Sequence, residues 1–361
     1  MRKLASIRRV AEIKPIPGAD AIEAVRVDGW WCVSKKNEFR VDDLCVYFEI
    51  DSFLPVRPEF EFLRKSCFRS TQNLGDGFRL KTVKLRGQIS QGLCLPLDIL
   101  NGFGDYWKGI VPPNKWSNGT HCVNHEEGAD CTEYLGVQKW EVPLPAQLAG
   151  DAKGNFPSFI RKTDQERIQN CYNDLLDDHK DDMFEATLKL DGSSMTVYYN
   201  NGEFGVCSRN LDLKETEGNT YWKVARNYKF EEAMKQYGKN IAIQGELMGP
   251  GIQGNREKLT YHDLFVFDIW SIDEQCYLGA AEKYDVLLDL EDYMDNLEIS
   301  KVPTIGFDQY IKKFSYDQLL QMSEIKSLTN PIAEGIVYRS IENPEVSFKV
   351  INNKFLMKEE G

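Results

Sequence analysis

Phe184-Glu185-Ala186-Thr187-Leu188-Lys189-Leu190-Asp191-Gly192 is the stretch whose reading decides what this chain is. A mainly apolar run of strand length carries Lys189 at its end, and Asp191-Gly192 opens a turn into Ser193-Ser194. Alone, such a Lys-x-Asp-Gly tetrapeptide arises by chance at any charged strand end. Here further polar clusters follow in order: Arg209, Gln244-Gly245-Glu246, Phe265-Val266-Phe267-Asp268 and Glu334-Gly335-Ile336-Val337, with Ser347-Phe348-Lys349 closing the series. Each sits on strand-like sequence, and an ordered series is specific where one cluster is not.

Outward from these clusters, Tyr221 to Met234, Ala281 to Leu297 and Ser315 to Ile325 read as helices. Thr163 is an expected N-cap, with Glu166 three residues on as its capping-box partner. Strands and helices mix, so the fold class is α+β. The N-terminal hundred residues read differently. Ile22 to Val27, Trp30 to Val33, Leu44 to Ile50, Phe78 to Leu85 and Gly92 to Leu97 are short strands with close turn signals, the pattern of an OB-type β-barrel. Residues 101–155, rich in Gly, Pro, Asn and Trp, read as irregular linker. The expected domains are therefore 1–148, OB-like with linker, and 149–361.

The formal net charge of −12 opposes a protein coated in nucleic acid. Its distribution is uneven, with 17 Lys and Arg against 13 Asp and Glu in residues 1–100, and 27 against 43 in the remainder. A phosphate-binding face is thus expected in the N-terminal part. Within it, Arg79 to Gly87 is expected to place basic residues on one side of a strand, and the glycine-containing turn Gln88 to Gly92 suits a close backbone approach. Lys81, Lys84 and Arg86 are the candidate contacts to nucleic acid or pyrophosphate. No stretch approaches the roughly 20 apolar residues of a membrane helix, and Met1-Arg2-Lys3-Leu4 begins no secretory segment. Nine scattered cysteines fit reduced thiols, hence the cytoplasm or another reducing intracellular compartment. His121, Cys122, His125 and Cys131 match no standard zinc spacing, and Asn118-Gly119-Thr120 is an idle glycosylation pattern without a signal peptide.

The ordered clusters resemble those of the covalent nucleotidyltransferases, in which a lysine attacks the α-phosphate of a nucleotide and carries the nucleotidyl group as a phosphoramide. An amine must be neutral to attack, and its ordinary pKa is about 10.4. Burial and a neighbouring cation are expected to lower that of Lys189. Gly192 lets ribose or phosphate approach the backbone. Glu246 and Glu334, on converging strands, suit Mg²⁺ held partly through water. Phe267 offers a ring face to a base, Lys349 can neutralise an α-phosphate, and Arg209 can hold the ribose or the incoming phosphate end.

A closer resemblance lies in Thr163 to Asn170 and in Gly249-Pro250-Gly251-Ile252-Gln253-Gly254-Asn255, three residues past Glu246; both are similar to RNA ligases. DNA ligases and capping enzymes share the skeleton but carry an OB domain after the last lysine cluster, whereas 12 residues follow Lys349. Here the barrel-like segment precedes the lysine, with Tyr47 to Asp51 and Leu85 to Gly92. The whole resembles the Naegleria-type, or fifth, RNA ligase family. That resemblance implies an adenylyltransferase domain of antiparallel sheets with flanking helices behind the barrel, using ATP and Mg²⁺, with Mn²⁺ as substitute. It implies Lys189 as the residue that becomes lysyl-AMP, and Asp191, Glu246 and Glu334 around the hydrated metal. Phe267 would stack on adenine, Arg209 would serve the ribose and phosphate end, and Lys349 would contact the α-phosphate. The substrate would be RNA with 3′-hydroxyl and 5′-phosphate ends, in a nicked duplex, joined by a monomer. One departure stands out: phage nick-sealing relatives carry a second lysine two residues on, and Ile351 occupies that position. The competing readings are a GTP-dependent capping guanylyltransferase and a nucleic-acid-binding module without catalysis.

Overall fold

The computed structural model describes residues 3–71, 73–101, 126–140, 150–295 and 297–359. The chain divides into two compact units, Met1–Pro143 with Met357–Gly361, and Leu144–Leu356. The expected glycosylation pattern and His121, Cys122 and His125 lie outside the described residues. Cys131 is buried in an apolar cluster.

The first unit contains β1 (Ala5–Pro15), β2 (Ile22–Val27), β3 (Trp30–Lys35), β4 (Leu44–Phe48), β5 (Ser52–Pro55), α1 (Arg64–Cys67), β6 (Phe68–Thr71), β7 (Gly75–Arg79), β8 (Val83–Leu85), β9 (Gln88–Ser90), β10 (Leu93–Leu95) and β11 (Gln138–Lys139). β1 is long enough to serve two partners. Its first half pairs with β4 and its second with β2, and a bulge between Val10 and Glu12 bends it from one to the other. The antiparallel sheet runs β10-β4-β1-β2-β3, and its two edges meet. Gln91 N donates to Trp31 O at 2.7 Å and Val33 N to Ser90 Oγ at 2.9 Å, closing an OB-type barrel. Ile7, Val46, Phe48, Leu54, Phe60 and Phe78 pack in a core beside it.

The run Arg79 to Gly87 is not one strand. β7 ends at Arg79, Lys81 lies in the connection, Lys84 is on β8, and Arg86 occupies the turn of a separate two-stranded hairpin, β8–β9. The alternation broke because Arg79 stacks on Trp140, with 4.9 Å from guanidinium to ring centre, while Leu80 turns inward to 4% exposure.

The second unit comprises β12 (Ala152–Asn155), β13 (Glu166–Arg167), α2 (Ile168–Asp178), β14 (Phe184–Lys189), β15 (Ser193–Asn200), β16 (Glu203–Ser208), β17 (Leu211–Leu213), α3 (Thr220–Asn227), α4 (Phe230–Tyr237), β18 (Ile241–Met248), β19 (Asp263–Ser271), β20 (Cys276–Tyr277), α5 (Ala280–Tyr293), β21 (Thr304–Gln309), α6 (Tyr316–Met322), β22 (Gly335–Ser340), β23 (Ser347–Ile351) and α7 (Asn353–Glu359). Two sheets result, ordered β12-β17-β16-β15-β18-β19-β20 and β13-β23-β22-β14-β21. Each buries one face under helices. Val197, Ile243 and Val266 of the larger sheet share a core with α3, α4 and α5, and Phe184, Tyr338 and Phe348 of the smaller share one with α2 and α6. Because strand side chains alternate, the residues between these core positions turn to the opposite faces.

Three helix expectations are corrected. Tyr221 to Met234 is two helices, broken where Lys229 takes a left-handed φ of 57°. Met294 ends α5 before Leu297 is reached. Thr163 caps nothing: the helix begins at Ile168 after an extended Arg167, and the Glu166 carboxylate accepts from Asn170 Nδ2 at 3.0 Å. Ser315 and Gln318 do form a capping box, at the start of α6. Among the described residues no helix is long and apolar enough to cross a membrane.

Candidate active site

The helix-free faces of the two sheets line a cleft. From the smaller sheet come Thr187, Lys189, Val337, Arg339 and Lys349; from the larger come Ser194, Glu246 and Phe267, with Arg209 just past β16. Pairing sets this register. Lys189 stands opposite Gly335, Thr187 opposite Val337 and Val337 opposite Lys349, so the two lysines project from one surface.

Lys189 does not point to bulk water. Its Nζ lies 2.7 Å from Glu334 Oε2, with side-chain exposures of 25% and 17%. Gly192 N donates to Glu246 Oε1 at 2.9 Å, tying the turn after Lys189 to β18. Only glycine fits there, because an added Cβ would stand 2.5 Å from Leu247 O. Gly335 beside Glu334 is under the same constraint from Val350 O at 2.2 Å. Asp191 and Glu334 do not line the cleft; Glu334 stands against Lys189, which does, and Asp191 lies beside Arg256.

The protein's own groups act on Lys189 in both directions. Burial is the largest influence on Lys189 and disfavours its charge, but Glu334, Glu246 and Asp191 together outweigh it and raise the amine above its ordinary value. Burial also pushes Glu246 up to about 7, against the pull of Lys189 and the Gly192 amide, with Glu334 and Asp191 adding to the rise. The site as folded is a half-buried acid cluster that favours the charged form of its lysine.

Among the described residues no three Asp, Glu, His or Cys side chains are grouped to ligate one ion directly. Asp191, Glu246 and Glu334 instead surround Lys189 and the Gly192 amide. Their hard oxygens, with the Glu246 carboxyl pushed up to about 7, are the donor chemistry of a cation that keeps its own waters.

Phe267 is partly buried in the wall, and its carbonyl accepts from Lys283 Nζ at 3.1 Å. Arg209, half exposed, lies 3.7 Å from Asp164, and Lys349 lies 3.9 Å from the same carboxylate. Asp164, Gln165, Thr187 and Arg339 line the cleft without having been singled out in the sequence. For Asp164 and Gln165 the signal lies in the run Thr163 to Asn170, whose likeness to RNA ligases is noted above although its first residue reads as a helix cap. Ile351 is 3% exposed, so no charge occupies that position. Lys81, Lys84 and Arg86 belong to the first unit.

A recessed lysine among carboxylates, facing an aromatic wall and a second lysine, defines a nucleotidyl-transferring enzyme. Family models agree with both halves of the chain: one described as an OB-fold domain matches residues 4–97, and one described as RNA ligase matches residues 182–351. No curated protein sequence matches. Among solved structures, a Naegleria gruberi RNA ligase mutant with AMP and Mn is 40% identical over 100% of both chains, at a TM-score of 0.88. A second mutant of that enzyme, with ATP and Mn, is 39% identical over 99% of this chain and 100% of that one, at 0.88. The same ligase with PPi is 41% identical over 100% and 99%, at 0.86. The chain belongs to the RNA ligase family.

Proposed function

We propose that this RNA ligase uses ATP and a divalent metal to join RNA 3′-hydroxyl and 5′-phosphate ends in a nicked duplex. The observation that carries the reading is Lys189, recessed 2.7 Å from Glu334 in a cleft that also presents Glu246, Phe267 and Lys349. The Naegleria gruberi relatives hold ATP, AMP, PPi and Mn.

In this reading Lys189 attacks the α-phosphorus of ATP; a P–N bond forms and the bond to pyrophosphate breaks. The ammonium must first lose its proton, and the Glu334 carboxylate is the acceptor at hand. Asp191, Glu246 and Glu334 would hold the metal. When bound, it supplies positive charge that withdraws these carboxylates from the ammonium and offsets charge on the phosphates. Phe267 stacks on adenine, its strand fixed by Lys283. Lys349 neutralises the α-phosphate, and Arg209, steered by Asp164, holds the ribose and phosphate end. AMP then passes to the RNA 5′-phosphate, and the 3′-hydroxyl displaces it. Lys84 and Arg86, exposed on the β8–β9 hairpin, with Lys81 beside it, contact RNA or pyrophosphate. Eight cysteines among the described residues are free thiols, which supports a reducing compartment, and we take the enzyme to act as a monomer.

The test is incubation with Mg²⁺ and α-labelled ATP or GTP, followed by a denaturing gel. Stable label from ATP that vanishes in Lys189→Ala supports the reading. Label from GTP alone favours capping chemistry, and label from neither favours a binding module. A sealing assay on RNA and DNA nicks with 3′-hydroxyl and 5′-phosphate ends then decides the substrate.

A further inference from the structure

The loop after Glu246, residues 249–258, lines no part of the nucleotide cleft, yet its conformation is held at several points. Gln253, Asn255 and Lys258 adopt left-handed φ values of 43°, 46° and 53°, a cost that surrounding contacts must offset. Asn255 accepts from Leu259 N at 3.0 Å and donates to Leu259 O at 2.8 Å. Glu257, 4% exposed, accepts from Thr329 N at 2.6 Å and Asn330 N at 3.1 Å. The residue fixed between these two anchors is Arg256.

Arg256 is placed against the catalytic turn. Its Nη1 lies 3.7 Å from Asp191 Oδ2, and its side chain is 11% exposed. The guanidinium lies over the Phe355 ring of α7, 4.4 Å from the ring centre. A lysine offers a point charge and no plane, so it cannot stack on Phe355 as Arg256 does while facing its charge to Asp191.

We propose that Arg256 is a positioning residue for lysine adenylylation, clamping the Asp191 carboxylate so that the turn after β14 keeps Lys189 aimed into the cleft, with Phe355 holding the clamp. The loop thereby acts on the chemistry without touching the nucleotide, and α7 becomes part of the device. The inference rests on the assignment of Lys189 and Asp191 made above.

The experiment compares full-length wild type, Arg256→Gln, Arg256→Lys and Phe355→Leu. It measures single-turnover labelling by α-labelled ATP, binding of α,β-methylene-ATP by calorimetry, and thermal unfolding. Removing a group that orients an active carboxylate costs about 10–100-fold in rate. Arg256→Gln is expected to lose that much in the maximal labelling rate while its affinity for the analogue changes by less than about threefold, the split of a lost positioning contact. Arg256→Lys should recover part of the rate, and Phe355→Leu should lose a few-fold. Unchanged labelling in Arg256→Gln overturns the inference. So does an equal loss of rate, analogue binding and thermal stability in Arg256→Gln and Arg256→Lys, which marks a scaffold residue. Wild type that takes no label from ATP sinks the underlying assignment instead.

Discussion

Among the recessed cation–carboxylate pairs of the second unit, two differ sharply in what their cations can do. Arg339 on β22 pairs with Asp268 on β19, joining the two sheets, with side-chain exposures of 10% and 2%. Lys189 pairs with Glu334 at the edge of the same cleft, at 25% and 17%. In the first pair burial raises the Asp268 carboxyl against Arg339 and Lys283, yet a guanidinium keeps its proton throughout the accessible pH range. In the second pair an ammonium can become an amine. The deeper pair is therefore a permanent clamp, and the shallower one a charge that chemistry can discharge. Burial alone does not distinguish them; the identity of the cation does.

The largest expected effect breaks the contrast at its centre. Lys189→Arg keeps a cation beside Glu334 but supplies no amine, so covalent AMP labelling should fall to background while the thermal midpoint stays near wild type. Labelling that survives in this variant would remove Lys189 as the nucleophile.

Next comes the clamp. Arg339→Met leaves Asp268 buried without its charge partner, and breaking such a pair by removing one member costs about 3–5 kcal/mol. Urea unfolding of the full chain measures it. A loss below about 1 kcal/mol would mean that Lys283, which also acts on Asp268, is sufficient alone.

A smaller effect concerns Glu246, whose carboxyl is pushed to about 7, first by burial. The folded chain holds that proton more tightly than the unfolded chain, whose carboxyl titrates near its ordinary value of 4.5. Near pH 4 both forms are protonated and the shift costs nothing; the penalty grows as pH rises and is complete above about pH 7. Glu246→Gln should therefore gain stability on wild type between pH 5 and pH 8, by about 1–2 kcal/mol, while losing adenylylation. A gap that stays constant with pH, or narrows, contradicts the sign.

How much of this was legible follows from where each residue's signal lies. Lys189, Glu246, Glu334 and Lys349 fall at strand ends or on alternating strands, so local pattern places them, and the glycines beside two of them report crowded backbone. The two-domain order and the barrel were likewise written in short strands and turns. Arg256 and the Arg339–Asp268 pair were not legible, because their partners lie 65 and 71 residues away and only the sheets bring them together. Thr163 misled because a capping-box pattern depends on where the next helix begins, and β13 claims Glu166-Arg167 first. The raised Lys189 amine was not legible for a related reason: it comes from three carboxylates that only the fold gathers around it, acting against burial.

The smallest prediction moves from buried to exposed cations, where charge should act additively and be screened by salt. At the β8–β9 hairpin the two-residue turn Arg86-Gly87 has φ values of 50° and 86°, matching a tight turn that projects its tip. Lys84 and Arg86 are exposed, and Leu85 between them is 42% exposed. Arg86 is only loosely tied, donating to Gly18 O at 3.4 Å. Unlike Lys189 or Arg339, neither cation is ion-paired with a carboxylate among the described residues, so each is available to a phosphate. In Lys84→Ala/Arg86→Ala the salt dependence of RNA binding should flatten by about one unit of slope per lost phosphate contact, with affinity falling about tenfold at low salt. Labelling by ATP should not change if the hairpin serves RNA. A fall in labelling with an unchanged salt slope would transfer these cations to pyrophosphate, and no change in either would leave the hairpin outside both steps.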